Sequence, residues 1–153
     1  MKALIQRVKK ACVTVEGEET GRIGEGLLVF LGVCDTDTAD LCELLAGKVA
    51  SLRIFCDEEE KMNRSVLQTA GGILVVSQFT LCADTKKGNR PSFTGAMRPD
   101  VANAYYEKFC ECLRQNGVKS VETGRFGADM QVELVNDGPV TLMLDTDVWR
   151  KKQ

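Results

Sequence analysis

Leu27-Leu28-Val29-Phe30-Leu31-Gly32-Val33 carries an apolar side chain at every position but its one glycine. A strand with one face in water would alternate polar and apolar residues. This run does not alternate, so it predicts a central strand covered on both faces. Ile73-Leu74-Val75-Val76, opened by Gly71-Gly72, predicts another buried strand, over residues 73–80.

Around these two runs the chain reads as short strands and two helices. Residues 3–8 and 11–15 predict two strands, the second ending at the Glu16-Gly17-Glu18 turn. Gly21, Gly24 and Gly26 frame a third strand and do not fit the G-x-G-x-x-G spacing of a nucleotide loop. Asp35-Thr36-Asp37-Thr38 offers several N-caps to a helix with Leu41, Leu44, Leu45, Val49 and Leu52 on one stripe. Pro99 suits the first position of a second helix, running through Val101, Tyr105, Phe109, Cys112 and Leu113 and stopped by Gly117. Further strands are predicted at Arg53-Ile54-Phe55 and near 119–123, 130–135 and 140–145, with the acidic run Asp57–Glu60 as a solvated loop. The expectation is an α/β fold with strong β content: mixed, curved or barrel-like sheets of eight or more strands, covered by two helices. No linker, repeat or low-complexity tract interrupts residues 1–153, so one domain is expected.

Composition narrows the function. There is no histidine in 153 residues, so catalysis has to proceed without the commonest general base. The seven cysteines form no C-x-x-C pair and scatter through apolar segments. They read as free thiols packed as small hydrophobes, with neither a disulfide framework nor a metal site, and no cofactor is implied. Nothing approaches the ~18 apolar residues of a membrane span, and Gln6-Arg7 breaks any signal-peptide reading of the N-terminus. A soluble cytoplasmic protein is expected. The net charge of −2 argues against a protein that coats nucleic acid non-specifically. Residues 84–98 nevertheless carry net +3, through Lys86, Lys87, Arg90 and Arg98 against Asp84, and the tail Arg150-Lys151-Lys152 adds as much. Basic residues directly after a candidate site imply an anionic substrate, and a few phosphate contacts hold one end of an RNA.

Two segments carry polar chemistry to the end of a buried strand. In Ser77-Gln78-Phe79-Thr80-Leu81, an extended chain would put Ser77, Phe79 and Leu81 on one face, Gln78 and Thr80 on the other. This is a strand end capped by hydroxyls, a nucleophile at Thr80 or Ser77, or an oxyanion hole built from the backbone N–H groups around Phe79 and Thr80. Only the oxyanion hole functions without a side-chain base. Asn136-Asp137-Gly138-Pro139-Val140-Thr141 reads either as a plain hairpin turn or as a rigid turn with outward carbonyls suited to an ammonium group. Its X-Pro bond is of the one kind that reaches cis at a cost of about 0.5–1 kcal/mol.

With Gln6-Arg7-Val8 and Lys87-Gly88-Asn89-Arg90-Pro91-Ser92-Phe93, these two motifs make the chain resemble, over essentially its whole length, the D-aminoacyl-tRNA deacylases. The resemblance implies a hydrolase for chiral proofreading in translation quality control, acting as a homodimer on the aminoacylated 3′ end of tRNA. It puts Ser77, Gln78, Phe79 and Thr80 at the catalytic centre. It assigns substrate binding to Gly138, Pro139, Val140 and Thr141, with Arg7 bracing that turn from beneath, together with Met130. A cis Gly138-Pro139 bond would reach into the partner's pocket, its carbonyls holding the amino group so that an L side chain collides with the wall. The terminal adenosine would stack near Phe79, with Lys86, Lys87 and Arg90 toward the acceptor stem. The ribose 2′-hydroxyl would help the attacking water, and glycyl-tRNA would escape exclusion. A related animal deacylase acting on L-alanyl-tRNA departs from both motifs; Phe79 and Gly138 put this chain on the D-specific side. A non-catalytic RNA-binding module is the competing reading, weakened by the lack of aromatics interleaved on a basic face.

Overall fold

The structure is a computed structural model that describes residues 1–150; of the basic tail, Lys151 and Lys152 lie outside the described residues. Eight strands and three helices follow one another: β1 Lys2–Val15, β2 Glu18–Ile23, β3 Gly26–Gly32, α1 Asp40–Ser51, β4 Phe55–Cys56, β5 Met62–Arg64, α2 Val66–Thr69, β6 Gly72–Ser77, α3 Pro99–Gln115, β7 Val121–Thr123 and β8 Gln131–Asp145. Short 3₁₀ turns cover Phe79–Cys82 and Thr146–Trp149. The predicted α/β fold with a mixed, curved sheet is the one observed. Among the described residues, no helix is long and apolar enough to cross a membrane.

β3 is the central strand its apolar run requires. It pairs antiparallel with β1 and parallel with β6, and β6 pairs parallel with β7. Leu27, Val29 and Leu31 enter the core beneath α1 and α3, with Ile5, Leu45, Val49, Phe109 and Leu113. Leu28 points to the opposite face, into a second core with Val8, Val13, Leu74 and Val76. Fully burying such a side chain stabilises by roughly 1.5–3 kcal/mol, so neither face of the run is dispensable. The sheet curls until its ends approach. At Gly21 in β2, a Cβ would stand 2.5 Å from the Thr123 carbonyl oxygen in β7, a backbone approach that only glycine admits.

Five local expectations are corrected. Residues 3–8 and 11–15 are one strand, β1, because the exposed Lys9-Lys10 pair is absorbed by a register shift against β8. β6 ends at Ser77 rather than at residue 80, and the chain tightens at once into the 3₁₀ turn. Helix α1 takes none of its offered N-caps and starts after Ala39 without a side-chain cap. Asp37 is instead buried against the Met1 ammonium and accepts the Cys34 N–H at 2.7 Å, as a buried carboxylate must be paired. Leu44 faces solvent, and α3 buries Tyr106 rather than Tyr105, its hydroxyl donating to the Val75 carbonyl at 3.0 Å.

Candidate active site

At the C-terminal end of β6 the chain leaves the sheet, and the 3₁₀ turn is fixed to the end of β3. The Gln78 N–H donates to the Leu31 carbonyl at 2.8 Å. At Gly32 a Cβ would lie 2.9 Å from Leu81 Cβ and 3.1 Å from the Gln78 carbonyl oxygen, so the turn sits directly on glycine backbone. The first hydrogen bond inside the turn runs from the Leu81 N–H to the Gln78 carbonyl at 3.2 Å. The N–H groups of Phe79 and Thr80 precede it, in the position where a helical turn leaves donors without an internal acceptor. The Gln78 amide donates to the Thr80 hydroxyl.

A cavity of about 690 Å³ opens beside this turn. Ser77, Gln78 and Phe79 line one side and Phe126 and Met130 contribute to another, while Thr80 is exposed and does not line it. At its mouth Phe79 is 56% exposed and meets Phe93 edge-on, ring centroids 5.3 Å apart. Two large aromatic faces in water at the rim of a cavity form a platform for a planar ring.

Gly138-Pro139 is not the apex of a hairpin, which corrects the plain-turn reading. β8 runs along β1 on both sides of it: Val8 faces Asn136, and two residues further along β1 Gln6 faces Thr141. Residues 137–140 have no partner on β1 and loop out as a bulge from a continuous ladder. The Gly138-Pro139 peptide bond is cis, and both residues are exposed. Asn136 closes the bulge, its amide donating to the carbonyls of Arg7 at 3.3 Å and Val140 at 3.1 Å. Arg7 braces it as well: Nε donates to the Asp137 carbonyl at 2.9 Å and Nη1 to the Ile54 carbonyl at 2.7 Å.

The predicted residues thus form two groups and a remainder. Ser77, Gln78, Phe79 and Met130 meet at the cavity; Arg7, Gly138, Pro139, Val140 and Thr141 meet at the bulge, which does not line the same subunit's cavity. Lys86, Lys87 and Arg90 lie in an exposed loop clamped by the Asp84–Ser92 bridge, outside the cavity lining. Two further residues of the motif segments contribute, Phe93 at the cavity and Asn136 at the base of the bulge. An asparagine two residues before Gly-Pro was a readable signal for the second, since Asn side chains commonly bond nearby backbone.

The chain belongs to the family described as D-Tyr-tRNA(Tyr) deacylase, which matches residues 4–145. Among its relatives, the D-aminoacyl-tRNA deacylase of Chloroflexus aurantiacus is 59% identical over 146 residues, 95% of this chain and 91% of that protein. The enzyme of the same name from Thermotoga petrophila is 57% identical, over 95% and 97% of the two chains. A solved structure titled c-Myc DNA Unwinding Element Binding Protein superposes with a TM-score of 0.89 at 44% identity, covering 95% of this chain and 98% of that one. A probable eukaryotic D-amino acid tRNA deacylase shares the fold, with a TM-score of 0.79 at 20% identity.

Proposed function

We propose that this chain is a cytoplasmic homodimeric hydrolase that cleaves the ester of D-aminoacyl-tRNA, releasing the amino acid and tRNA. The family match supports deacylation. The observation that carries the detailed reading is the exposed Gly138-Pro139 bulge, held by Arg7 and outside the lining of its own subunit's cavity. β8 is paired along one edge only among the described residues, and Val135 and Met143 expose large apolar side chains on either side of the bulge. Such an edge suits a second copy of the chain, whose cavity would receive the bulge.

In this reading the terminal adenine stacks on Phe79 and Phe93, and Lys86, Lys87 and Arg90 face the acceptor-stem phosphates. The amino group donates to main-chain carbonyls of the partner's Gly138 and Pro139, which fixes where the side chain on the α-carbon goes. A D side chain points to open space, an L side chain meets the wall, and glycine offers nothing to exclude. The ester carbonyl oxygen faces the Phe79 and Thr80 N–H groups. Water, oriented by the ribose 2′-hydroxyl, adds to the carbonyl carbon, and those N–H groups stabilise the oxyanion. On collapse the bond to the ribose 3′-oxygen breaks, and that oxygen takes a proton from the water.

Incubation of purified protein with D-tyrosyl-, L-tyrosyl- and glycyl-tRNA tests the reading. Hydrolysis of the D and glycyl esters with the L ester spared is expected; equal rates on D and L would overturn the chiral mechanism. Thr80→Ala separates the chemical routes. Retention of activity within about tenfold is expected for substrate-assisted water, because an unactivated hydroxyl makes a poor nucleophile. Binding of tRNA without ester cleavage, insensitive to replacement of Pro139, would instead favour a non-catalytic RNA-binding module.

A further inference from the structure

Cys34, two residues beyond β3, and Cys82, the last residue of the 3₁₀ turn, bring their sulfurs to 2.7 Å from each other. A disulfide requires about 2.05 Å, so the two need only a small approach to bond. We propose that Cys34 and Cys82 form a reversible disulfide that switches the activity of the Ser77–Thr80 turn, a regulation that rests on the deacylase reading above. Among the described residues no third histidine, cysteine, aspartate or glutamate joins the pair in a metal-ligating group.

The two sulfurs are unequal in a way that suits stepwise oxidation. Cys34 is part-exposed and Cys82 is buried, so an oxidant reaches Cys34 first. The hydrogen bond with the Cys82 thiol lowers the pKa of Cys34 against the opposing effects of burial and the Asp37 carboxylate, with smaller help from the Met1 ammonium and Lys2, and it holds Cys82 protonated. A part-exposed thiol of lowered pKa with a resolving thiol in contact is the arrangement of redox-sensing cysteines.

The oxidant is a hydroperoxide. The Cys34 thiolate attacks its terminal oxygen; an S–O bond forms, the O–O bond breaks, and the alkoxide leaves as alcohol with the proton Cys34 had released. The Cys82 sulfur then attacks the Cys34 sulfenic acid. An S–S bond forms, the S–O bond breaks, and hydroxide leaves with the Cys82 proton as water. Two thiols and one hydroperoxide give one disulfide, one alcohol and one water.

The bond would act on the site because nothing flexible intervenes. Cys82 is three residues from Phe79, and the turn already rests on Gly32 and Leu31 at van der Waals and hydrogen-bond distance. Drawing Cys82 toward Cys34 shifts the turn's N–H groups by a fraction of the about 1 Å at which a misplaced catalytic group can cost ~10²-fold, so a loss of about tenfold is expected.

The test titrates purified full-length protein with hydrogen peroxide. It follows peptide mass, amide hydrogen exchange over residues 78–83, and hydrolysis of D-tyrosyl-tRNA. Expected are a cross-linked peptide pair joining Cys34 to Cys82, slower exchange in the turn, and a ~tenfold loss of hydrolysis restored by dithiothreitol. Cys34→Ser is expected to match the reduced enzyme and to ignore the same peroxide; Cys82→Ser serves if that variant folds poorly. Absence of the Cys34–Cys82 link, or a linked enzyme as active and as exchangeable as the reduced one, would overturn the proposal. Failure of the reduced protein to hydrolyse the ester would count against the deacylase reading instead, and mass and exchange would still judge the disulfide.

Discussion

The guanidinium of Arg7 holds Asp137 through its main chain: Nε donates to the Asp137 carbonyl at 2.9 Å, while the carboxylate of the same residue lies 3.4 Å away. The other end of the fork reaches the Ile54 carbonyl at 2.7 Å. One side chain thereby ties the bulge of β8 to the segment leading into β4 across the back of β1.

Replacing Arg7 with lysine keeps the charge and loses the fork. A single ammonium cannot serve Asp137 and Ile54 in the same planar geometry. Arg7→Lys is expected to lower kcat/KM for D-tyrosyl-tRNA by about 10–100-fold, because in the proposed function a bulge shifted by about 1 Å would misplace the substrate amine. Arg7→Ala should in addition cost about 1.5–3 kcal/mol of stability in urea titration, the range for hydrogen bonds from a charged group. Unchanged kinetics in the lysine variant would show that the bulge holds itself.

Gly138→Ala tests the bulge from within. The added Cβ would stand 2.0 Å from the Val140 nitrogen and 2.7 Å from Asn136 Oδ1, so the loop must rebuild. Because the residue is exposed and outside the β1 ladder, circular dichroism is expected to remain native. Deacylation of D-tyrosyl-tRNA should fall by roughly 10²-fold or more. A variant as active as the parent would remove Gly138 from the mechanism.

Phe79 and Phe93 are expected to act on binding more than on the chemical step. Stacking of a base on an aromatic ring is worth about 1–3 kcal/mol. Phe93→Ala should therefore raise KM for aminoacyl-tRNA by about 5–150-fold with a smaller change in kcat. A fall in kcat at constant KM would place the ring at the reacting ester instead.

Alkaline pH is expected to weaken the core. Burial pushes the Cys42 thiol from 9.0 up to about 11 and Cys110 up to about 12, and raises Tyr106 for the same reason. In the unfolded chain the thiols ionise near 9.0, so above that pH the unfolded state binds fewer protons and folding loses ground. Their contribution is complete below pH 9.0 and declines as pH rises toward 11 and 12. The urea midpoint should drop across that window, and Cys42→Ala with Cys110→Ala should flatten the decline. Equal slopes in parent and double variant would contradict this.

The architecture was legible where burial wrote it into consecutive residues. Leu27–Val33 and Ile73–Val76 announced two buried strands, and the structure gives each run a core on both sides. What stayed hidden depends on partners far along the chain. Asp37 looks like a helix cap until the Met1 ammonium claims it. Phe79 looks like the next position of a strand until the Leu31 carbonyl and Gly32 draw the chain into a tight turn. Asn136–Thr141 has a hairpin's composition, and only the register with β1 reveals a bulge. The motif segments are visible in the chain, but their division between cavity and bulge is set by tertiary packing that no local pattern encodes.

Since β8 resumes its pairing with β1 at Thr141 as though residues 137–140 had never intervened, the excursion is mechanically separable from the frame that carries it. Its length and composition could drift while every neighbouring strand kept its place. Under the function proposed above, exchange of the protruding tip would alter stereochemical preference while the curled sheet behind it stayed unchanged.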